Sequence, residues 1–264
     1  MNYVKHLIVA DAHCDPHQNL RRFDWLGKWI ADHDYDWVIV AGDWLTLDSC
    51  SFYPMSRFDK TTAAEDLEAG REALRRTKQP TLDKQKRQQR NKKKKIKTKW
   101  AFTKGNHEER FDRKIQEDED VLGSLVSFNS LFGVDTEFDL SCEYRDYLLI
   151  DGIQYTHACQ NGLRRPMSAL NRGRQIALQT RYPTVYGHTH KFDFTTVPIL
   201  GSTNAVNWSC NCPCFMEQDH VEKYALGSAT GWCYGVIELT IFDDGTVVHR
   251  WIAMAELENH FNGT

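Results

Sequence analysis

Tyr3-Val4-Lys5-His6-Leu7-Ile8-Val9-Ala10-Asp11-Ala12-His13 is the stretch from which the fold is read. A short apolar run rich in branched residues stops at an aspartate, a small residue and a histidine. The form recurs three times. Trp37-Val38-Ile39-Val40-Ala41 runs into Gly42-Asp43, Trp100-Ala101-Phe102-Thr103 into Gly105-Asn106-His107-Glu108, and Thr184-Val185-Tyr186 into Gly187-His188-Thr189-His190. Runs of this length, bounded by glycine and polar residues, are short buried strands.

The intervening segments carry helical spacing. Asn19 to Ala31 places Leu20, Phe23, Leu26, Trp29 and Ile30 on one face. Thr61 to Lys78 forms a second helix, halted by Pro80, and Ser168 to Thr180 a third. Two hairpins follow from turn chemistry. Tyr144–Ile150 and Ile153–His157 flank Asp151-Gly152, while Val236–Phe242 and Thr246–Ile252 flank Asp243-Asp244-Gly245. Strands alternating with helices, plus antiparallel hairpins, predict an α/β fold. Its expected form is a four-layer αββα sandwich with two central mixed sheets flanked by helices. Residues 1–264 are read as one domain, with a basic helical or flexible insertion around 81–99.

Composition excludes several classes. At 41% hydrophobic and 12% aromatic the 264 residues can bury a core, which rules out disorder throughout. The N-terminal apolar run, Leu7 to Ala10, is too short for a signal peptide. No stretch approaches the roughly 18 apolar residues of a membrane span. The expectation is a soluble intracellular, cytoplasmic protein with no membrane partner. Its eight cysteines are expected to be thiols. A net charge of −3 hides an asymmetry, because Lys84 to Lys99 holds ten Lys/Arg and no acid. The rest of the chain therefore carries a net −13.

Residues far apart in sequence converge outside the carboxyl ends of strands in α/β sheets. Here Asp11, His13, Asp43, Asn106, His157, His188 and His190 occupy five such ends. Two carboxylates, four imidazoles and an amide make a plausible donor set for two divalent ions, of the kind that suits Zn, Fe or Mn. Each residue alone has a bland explanation: an aspartate after a strand is usually a turn or cap, and a lone histidine usually a core residue. His188 and His190 alternate on extended chain and so share a side. The joint pattern favours metal.

That pattern resembles the five-block signature of the calcineurin-like metallophosphoesterases. The blocks are Asp11-x-His13, Gly42-Asp43, Gly105-Asn106-His107-Glu108, His157 and Gly187-His188-x-His190, in the family's order. The resemblance implies a hydrolase with two divalent ions, Mn2+ first, with Fe, Zn, Ni or Mg as alternatives. Asp11, His13 and His190 would hold one ion; Asn106, His157 and His188 the other; Asp43 would bridge them. Attack would come from a hydroxide between the ions. His107 would contact the scissile phosphate and help protonate the leaving oxygen, so the implied catalytic residues are His107, Asp43 and Asn106.

Departures narrow the resemblance. Gly42-Asp43 is followed by Trp44-Leu45-Thr46, not by the Asp-Arg-Gly of serine/threonine protein phosphatases, and Cys14 stands where those enzymes have glycine. His157 is followed by Ala158, where many members have glycine. Asp11-Ala12-His13-x-x-Pro16-His17, Ser51-Phe52, Gly105 to Arg110 and Trp232-Cys233-Tyr234-Gly235 look like the small phosphoesterases of bacteriophage and prophage genomes.

The expected substrate is a phosphodiester, with DNA or RNA as candidates. The alternatives are a phosphomonoesterase and a non-catalytic interaction module; the complete donor set favours an enzyme. Asn161, Arg164 and Arg165 are candidate substrate contacts, since a guanidinium grips phosphate in bidentate fashion. Arg172 and Arg174 are also candidates, against a reading as surface charge. The basic run is read as a solvated helix or insertion, with attraction of a polyanion as the rival reading. It leads into the start of the Trp100 strand, and a five-residue strand spans about 17 Å, so the run should lie away from the strand ends. Cys210-Asn211-Cys212-Pro213-Cys214 departs from the usual Cys-x2–4-Cys zinc spacing. These cysteines are expected to be free thiols in a loop, not a zinc site completed by Cys142 or Cys233.

Overall fold

The computed structural model describes residues 2–51, 61–92, 97–117, 126–202, 205–218, 220–222 and 225–263. In chain order the elements are β1 (Tyr3–Val9), α1 (Arg21–His33), β2 (Trp37–Val40), α2 (Ala63–Arg90), β3 (Lys99–Thr103), α3 (Asn106–Glu117), α4 (Phe128–Phe132) and α5 (Val134–Glu137). Then come β4 (Leu140–Cys142), β5 (Leu148–Ile150), β6 (Ile153–Thr156), α6 (Arg172–Gln179), β7 (Thr184–Tyr186), β8 (Asp193–Pro198), β9 (Val206–Asn211), β10 (Gly235–Phe242), β11 (Val247–Ala253) and α7 (Met254–Asn262).

Two mixed sheets result. One runs β11-β10-β1-β2-β3-β4, the other β5-β6-β7-β9-β8. Strands β1 to β4 are parallel to one another, as are β6, β7 and β9. The central strands are apolar without alternation because both their faces are covered. Leu7, Val9, Val38, Val40, Trp100 and Phe102 point to the helices, where α1 brings Phe23, Leu26 and Trp29 and α7 brings Leu257. Ile8, Ala10, Ile39, Ala41 and Ala101 point to the second sheet, meeting Tyr155, Val185 and Cys210. Helix α6 covers that sheet's far side, with Ile176 against Tyr186 and Cys159. The four layers are those expected from the sequence. No helix among the described residues is long and apolar enough to cross a membrane.

A buried polar contact joins the sheets as well. His6 of β1 has Nδ1 2.6 Å from the Tyr155 hydroxyl and Nε2 2.9 Å from Asp151 in the β5–β6 turn. The ring is fully buried, and burial lowers its pKa against the pull of Asp151.

The structure corrects several expectations. Pro80 does not stop α2, which continues through it to Arg90. A mid-helix proline leaves the carbonyl four residues earlier without its amide partner. That carbonyl belongs to Arg76, and it is turned onto Gly27 of α1, where a Cβ would lie 2.6 Å from it. The close helix crossing therefore shelters the break.

Only Leu148–Ile150 of the expected Tyr144–Ile150 strand forms, because Arg145 has φ 78° and Asp146 N–H turns back to Glu143 O. Strands β4, β8 and β9 had no counterpart in the sequence reading. Cys210, Cys212 and Cys214 are free thiols, as expected, but Cys210 lies on β9 and only Cys212 and Cys214 in the segment that follows, and all three are buried. Alternate positions on extended chain send Cys210 and Cys212 into the core between the sheets. Among the described residues no cysteine belongs to a group placed to hold a metal.

The basic run is helical as far as Arg90; residues 93–96 lie outside the described residues. Lys84 Nζ donates to Ala31 O and Asp34 at the end of α1, which leads into the start of β2. This helical part therefore sits where the strands begin.

Replacing Gly27 with Ala should destabilise the protein by about 1–3 kcal/mol through overpacking at the Arg76 carbonyl. Urea unfolding of both proteins measures this, and an unchanged midpoint would show that the helices can separate freely.

Candidate metal centre

At the carboxyl ends of β1, β2 and β7 the chain turns through left-handed backbone. Asp11 (φ 51°), His13 (φ 45°), Asp43 (φ 48°), His188 (φ 73°) and His190 (φ 59°) all adopt it. Side chains with a Cβ avoid this region, at about 1–3 kcal/mol each, so the surroundings must enforce it. Backbone bonds do so in part: Asp11 N–H donates to Gly42 O (3.1 Å) and His13 N–H to Asp43 O (3.0 Å). Carboxylates do the rest. His188 N–H donates to the Asp11 carboxylate (2.9 Å) and His107 N–H to Asp43 Oδ1 (2.9 Å). Glu108 receives the N–H groups of Asp43, Leu45 and Gly105 at 3.0, 3.1 and 2.8 Å.

Glycine is required where these loops pack face to face. A Cβ on Gly42 would fall 2.5 Å from His157 Nδ1, and one on Gly105 2.1 Å from Asp43 Oδ1.

Three groups of side chains could hold an ion: Asp11, His13 and His190; Asp43, His157 and His188; and, between them, His13, Asp43 and His107. His190 Nε2 is 3.3 Å from Asp11 Oδ1. His157 Nε2 lies 3.0 Å from Asn106 Oδ1, 3.2 Å from His188 Nδ1 and 3.2 Å from Asp43 Oδ2. Its other nitrogen faces Ala41 O at 3.0 Å, which assigns the hydrogen to Nδ1. The His157 Nε2 lone pair, Asn106 Oδ1 and Asp43 Oδ2 then face one another as acceptors, with His188 Nδ1 beside them. Such an arrangement needs a proton or a cation among them, and its nitrogen and oxygen donors suit a divalent metal. His13 supports the same fit: it is buried, and neither ring nitrogen has a hydrogen-bond partner among the described residues.

The electrostatics are those of a site waiting for positive charge. Burial would depress the His157 imidazole, yet the adjacent Asp43 and Asp11 push it up to about 10. Burial would raise the Asp43 carboxyl, but His157 and His107 hold it well below its ordinary value. Burial, with neighbouring imidazoles, pushes His13 down to about 3 and His188 down to about 4. His107 is also lowered by burial, against the charge of Asp43. Its Nδ1 lies 2.5 Å from Thr46 O, and its Nε2 is 3.8 Å from Asp43 Oδ2.

Asp11, His13, Asp43, Asn106, His107, His157, His188 and His190 are thus brought to one place. Asn161, Arg164 and Arg165 are exposed in the loop after Ala158. Asn161 Oδ1 accepts from the N–H groups of Leu163 and Arg165, so that side chain shapes its own loop. Among the described residues, neither Arg164 nor Arg165 pairs with the histidine–aspartate groups. Arg110, one turn after His107, has Nη1 3.3 Å from the His107 ring.

Sequence reading missed two neighbours. Trp232 packs edge-on against His190 with ring centroids 4.4 Å apart. Glu222 Oε1 lies 3.4 Å from His13 Nδ1. Burial would raise the Glu222 carboxyl, but His220 and His13 hold it down to about 2. Trp232 belongs to the Trp232–Gly235 block and Glu222 to no motif; neither has a spacing that ties it to the histidines, so only the folded chain places them here.

Residues 4–199 match the family model described as calcineurin-like phosphoesterase. The chain belongs to that family. The family uses divalent metals, and membership supports a phosphoester hydrolase. No curated protein sequence matches this phosphoesterase significantly. Solved structures similar to it include wild-type Vps29 complexed with zinc from Entamoeba histolytica, at 13% identity and a TM-score of 0.38, covering 95% of this chain and 99% of that one. Pseudomonas putida nuclease MPE shares 14% identity at a TM-score of 0.33, over 89% and 83% of the two chains. TT1561 of Thermus thermophilus shares 9% at a TM-score of 0.40, over 95% and 99%.

Replacing Gly42 with Ala should push the His157 ring from its seat and weaken Mn2+ binding by about 10–100-fold, the usual cost of disturbing a ligand's support. Titration calorimetry of the metal-stripped phosphoesterase measures this; wild-type affinity would show that the ring tolerates the displacement.

Proposed function

We propose that this phosphoesterase hydrolyses phosphodiester bonds with two divalent cations. One is held by Asp11, His13 and His190, the other by Asn106, His157 and His188, and Asp43 is shared. The position of a single atom carries this reading. Asp43 Oδ2 faces His157 Nε2 at 3.2 Å, His107 Nε2 at 3.8 Å and His13 Nε2 at 4.0 Å. Asp43 Oδ1 is already engaged by the His107 N–H, so Oδ2 is the atom left to serve both groups. Its negative charge offsets repulsion between two cations. Mn2+ is the first candidate, and Fe, Zn, Ni or Mg also fit donors of this type.

When bound, such a pair polarises phosphoryl oxygens and makes water nucleophilic at neutral pH. The chain itself contributes orientation and proton handling. The backbone and carboxylate bonds around Asp11, Asp43 and Gly105 fix where substrate oxygens sit. His107 has its Nδ1 hydrogen committed to Thr46 O, which leaves Nε2 to give or take a proton on the Asp43 side. Proton delivery matters most for a poor leaving group such as the alkoxide of a diester, where it is typically worth about 100–10,000-fold. DNA and RNA are proposed diester substrates. The helical part of the basic run lends them no support, because it lies at the other edge of the sheet.

The test compares bis(p-nitrophenyl) phosphate with p-nitrophenyl phosphate in Mn2+, followed by linear and single-stranded DNA. The diester should show the higher kcat/KM. Asp43→Asn should abolish turnover and weaken Mn2+ binding. His107→Ala should lower kcat on DNA by about 100–10,000-fold, and less on bis(p-nitrophenyl) phosphate, whose phenolate leaves without much help from a proton, while Mn2+ affinity stays put. Equal loss of metal in both variants would remove His107 from the proton-handling role.

A further inference from the structure

We propose that Glu222 is a positioning residue for this centre: its carboxylate orients the His13 ring and strengthens the donor that His13 offers beside Asp11 and His190. The proposal rests on the metal-holding reading above.

Three buried side-chain atoms near one another have no hydrogen-bond partner among the described residues: His13 Nδ1, His13 Nε2 and Glu222 Oε1. A buried carboxylate oxygen or imidazole nitrogen left in this state is costly. A single arrangement accounts for all three. A small rotation of the His13 ring would bring an Nδ1 hydrogen onto Glu222 Oε1, which lies 3.4 Å from that nitrogen, and would leave the Nε2 lone pair free for a cation. Glu222 is only 8% exposed, so water does not compete freely for its charge. A carboxylate behind a liganding imidazole fixes its tautomer and makes the other nitrogen more basic. His157, by contrast, leans on the neutral carbonyl of Ala41.

The segment carrying Glu222 is itself anchored. Tyr234 donates its hydroxyl hydrogen to His220 O at 2.6 Å, and Ala225 N–H donates to Glu222 O at 2.9 Å. His220 Nε2 is 3.8 Å from the same Oε1, outside hydrogen-bond reach, and its side chain is 30% exposed. His13 is therefore the nearer and drier partner. Glu222 also lies beyond residues 4–199, where the family match ends.

The experiment titrates Mn2+ into metal-stripped wild type, Glu222→Ala and Glu222→Gln by calorimetry. Melting of each metal-free protein and wild-type hydrolysis of bis(p-nitrophenyl) phosphate are measured alongside. Glu222→Ala should weaken one binding event by about 10–100-fold and spare the other. Glu222→Gln keeps an acceptor oxygen without the charge and should fall between. Each metal-free protein should still melt in one cooperative transition, which shows that the fold is kept. Identical affinities in all three proteins would overturn the proposal. So would equal weakening of both events with a lowered metal-free Tm, the mark of a merely structural residue. Wild type that binds Mn2+ but hydrolyses nothing would sink the phosphodiester reading alone, and the variants would still decide the role of Glu222. Wild type that binds no Mn2+ would sink both.

Discussion

Glu108 has no solvent contact at the start of α3 and receives three backbone N–H groups, two on one carboxylate oxygen and one on the other. The donors come from the loop after β2 and the loop after β3, so this one side chain sets the spacing between Asp43 and Asn106. Burial and the charge of Asp43 push its pKa up to about 7, while the N–H groups favour the ionised form. Hydrogen bonds to a charged group are worth about 1.5–3 kcal/mol each, comparable with the cost of a left-handed residue such as Asp43. The dependence then runs outward. Glu108 fixes the Asp43 backbone, Asp43 Oδ1 fixes the His107 backbone, and Asp43 Oδ2 is left facing the imidazoles.

Strain and glycine divide the labour at this edge of the sheets. The left-handed turns at Asp11, Asp43 and His188 fall within three residues of the ends of β1, β2 and β7. Gly42, Gly105 and Gly187 let neighbouring loops close to within contact distance; at Gly187 a Cβ would fall 2.6 Å from Asp11 Oδ2. The Gly-x spacing in the sequence thus has a steric meaning independent of any family likeness.

Much of this was legible in the chain, and the reasons it was legible are physical. Strands β2 and β7 and the carboxyl-terminal parts of β1 and β3 are short and buried on both faces, which writes them as mostly apolar runs. Their ends stand out because Asp, His and Asn follow at once. What was hidden depended on tertiary context. Proline normally reads as a helix stop, and only the packing of Gly27 against the Arg76 carbonyl shows why α2 passes through Pro80. Strands β8 and β9 carry Asp193, Asn207 and Asn211 among their residues, and so lack the apolar signature of their neighbours. Glu222 and Trp232 reach the centre from the chain beyond β9, with no spacing that ties them to His13 or His190.

The candidate donors are shared between the sheets. Asp11, Asp43 and Asn106 extend from the six-stranded sheet, whereas His157, His188 and His190 extend from the five-stranded one. Near this edge the inner face carries Ala10 and Ala41, small residues that bury little apolar surface. An ion gripped from both sides would therefore act as a rivet where the hydrophobic seam is thinnest. At a free concentration a hundred times its dissociation constant, each ion would add about 2.7 kcal/mol against unfolding. A chelator would accordingly do more than silence chemistry: it would unfasten one end of the sandwich.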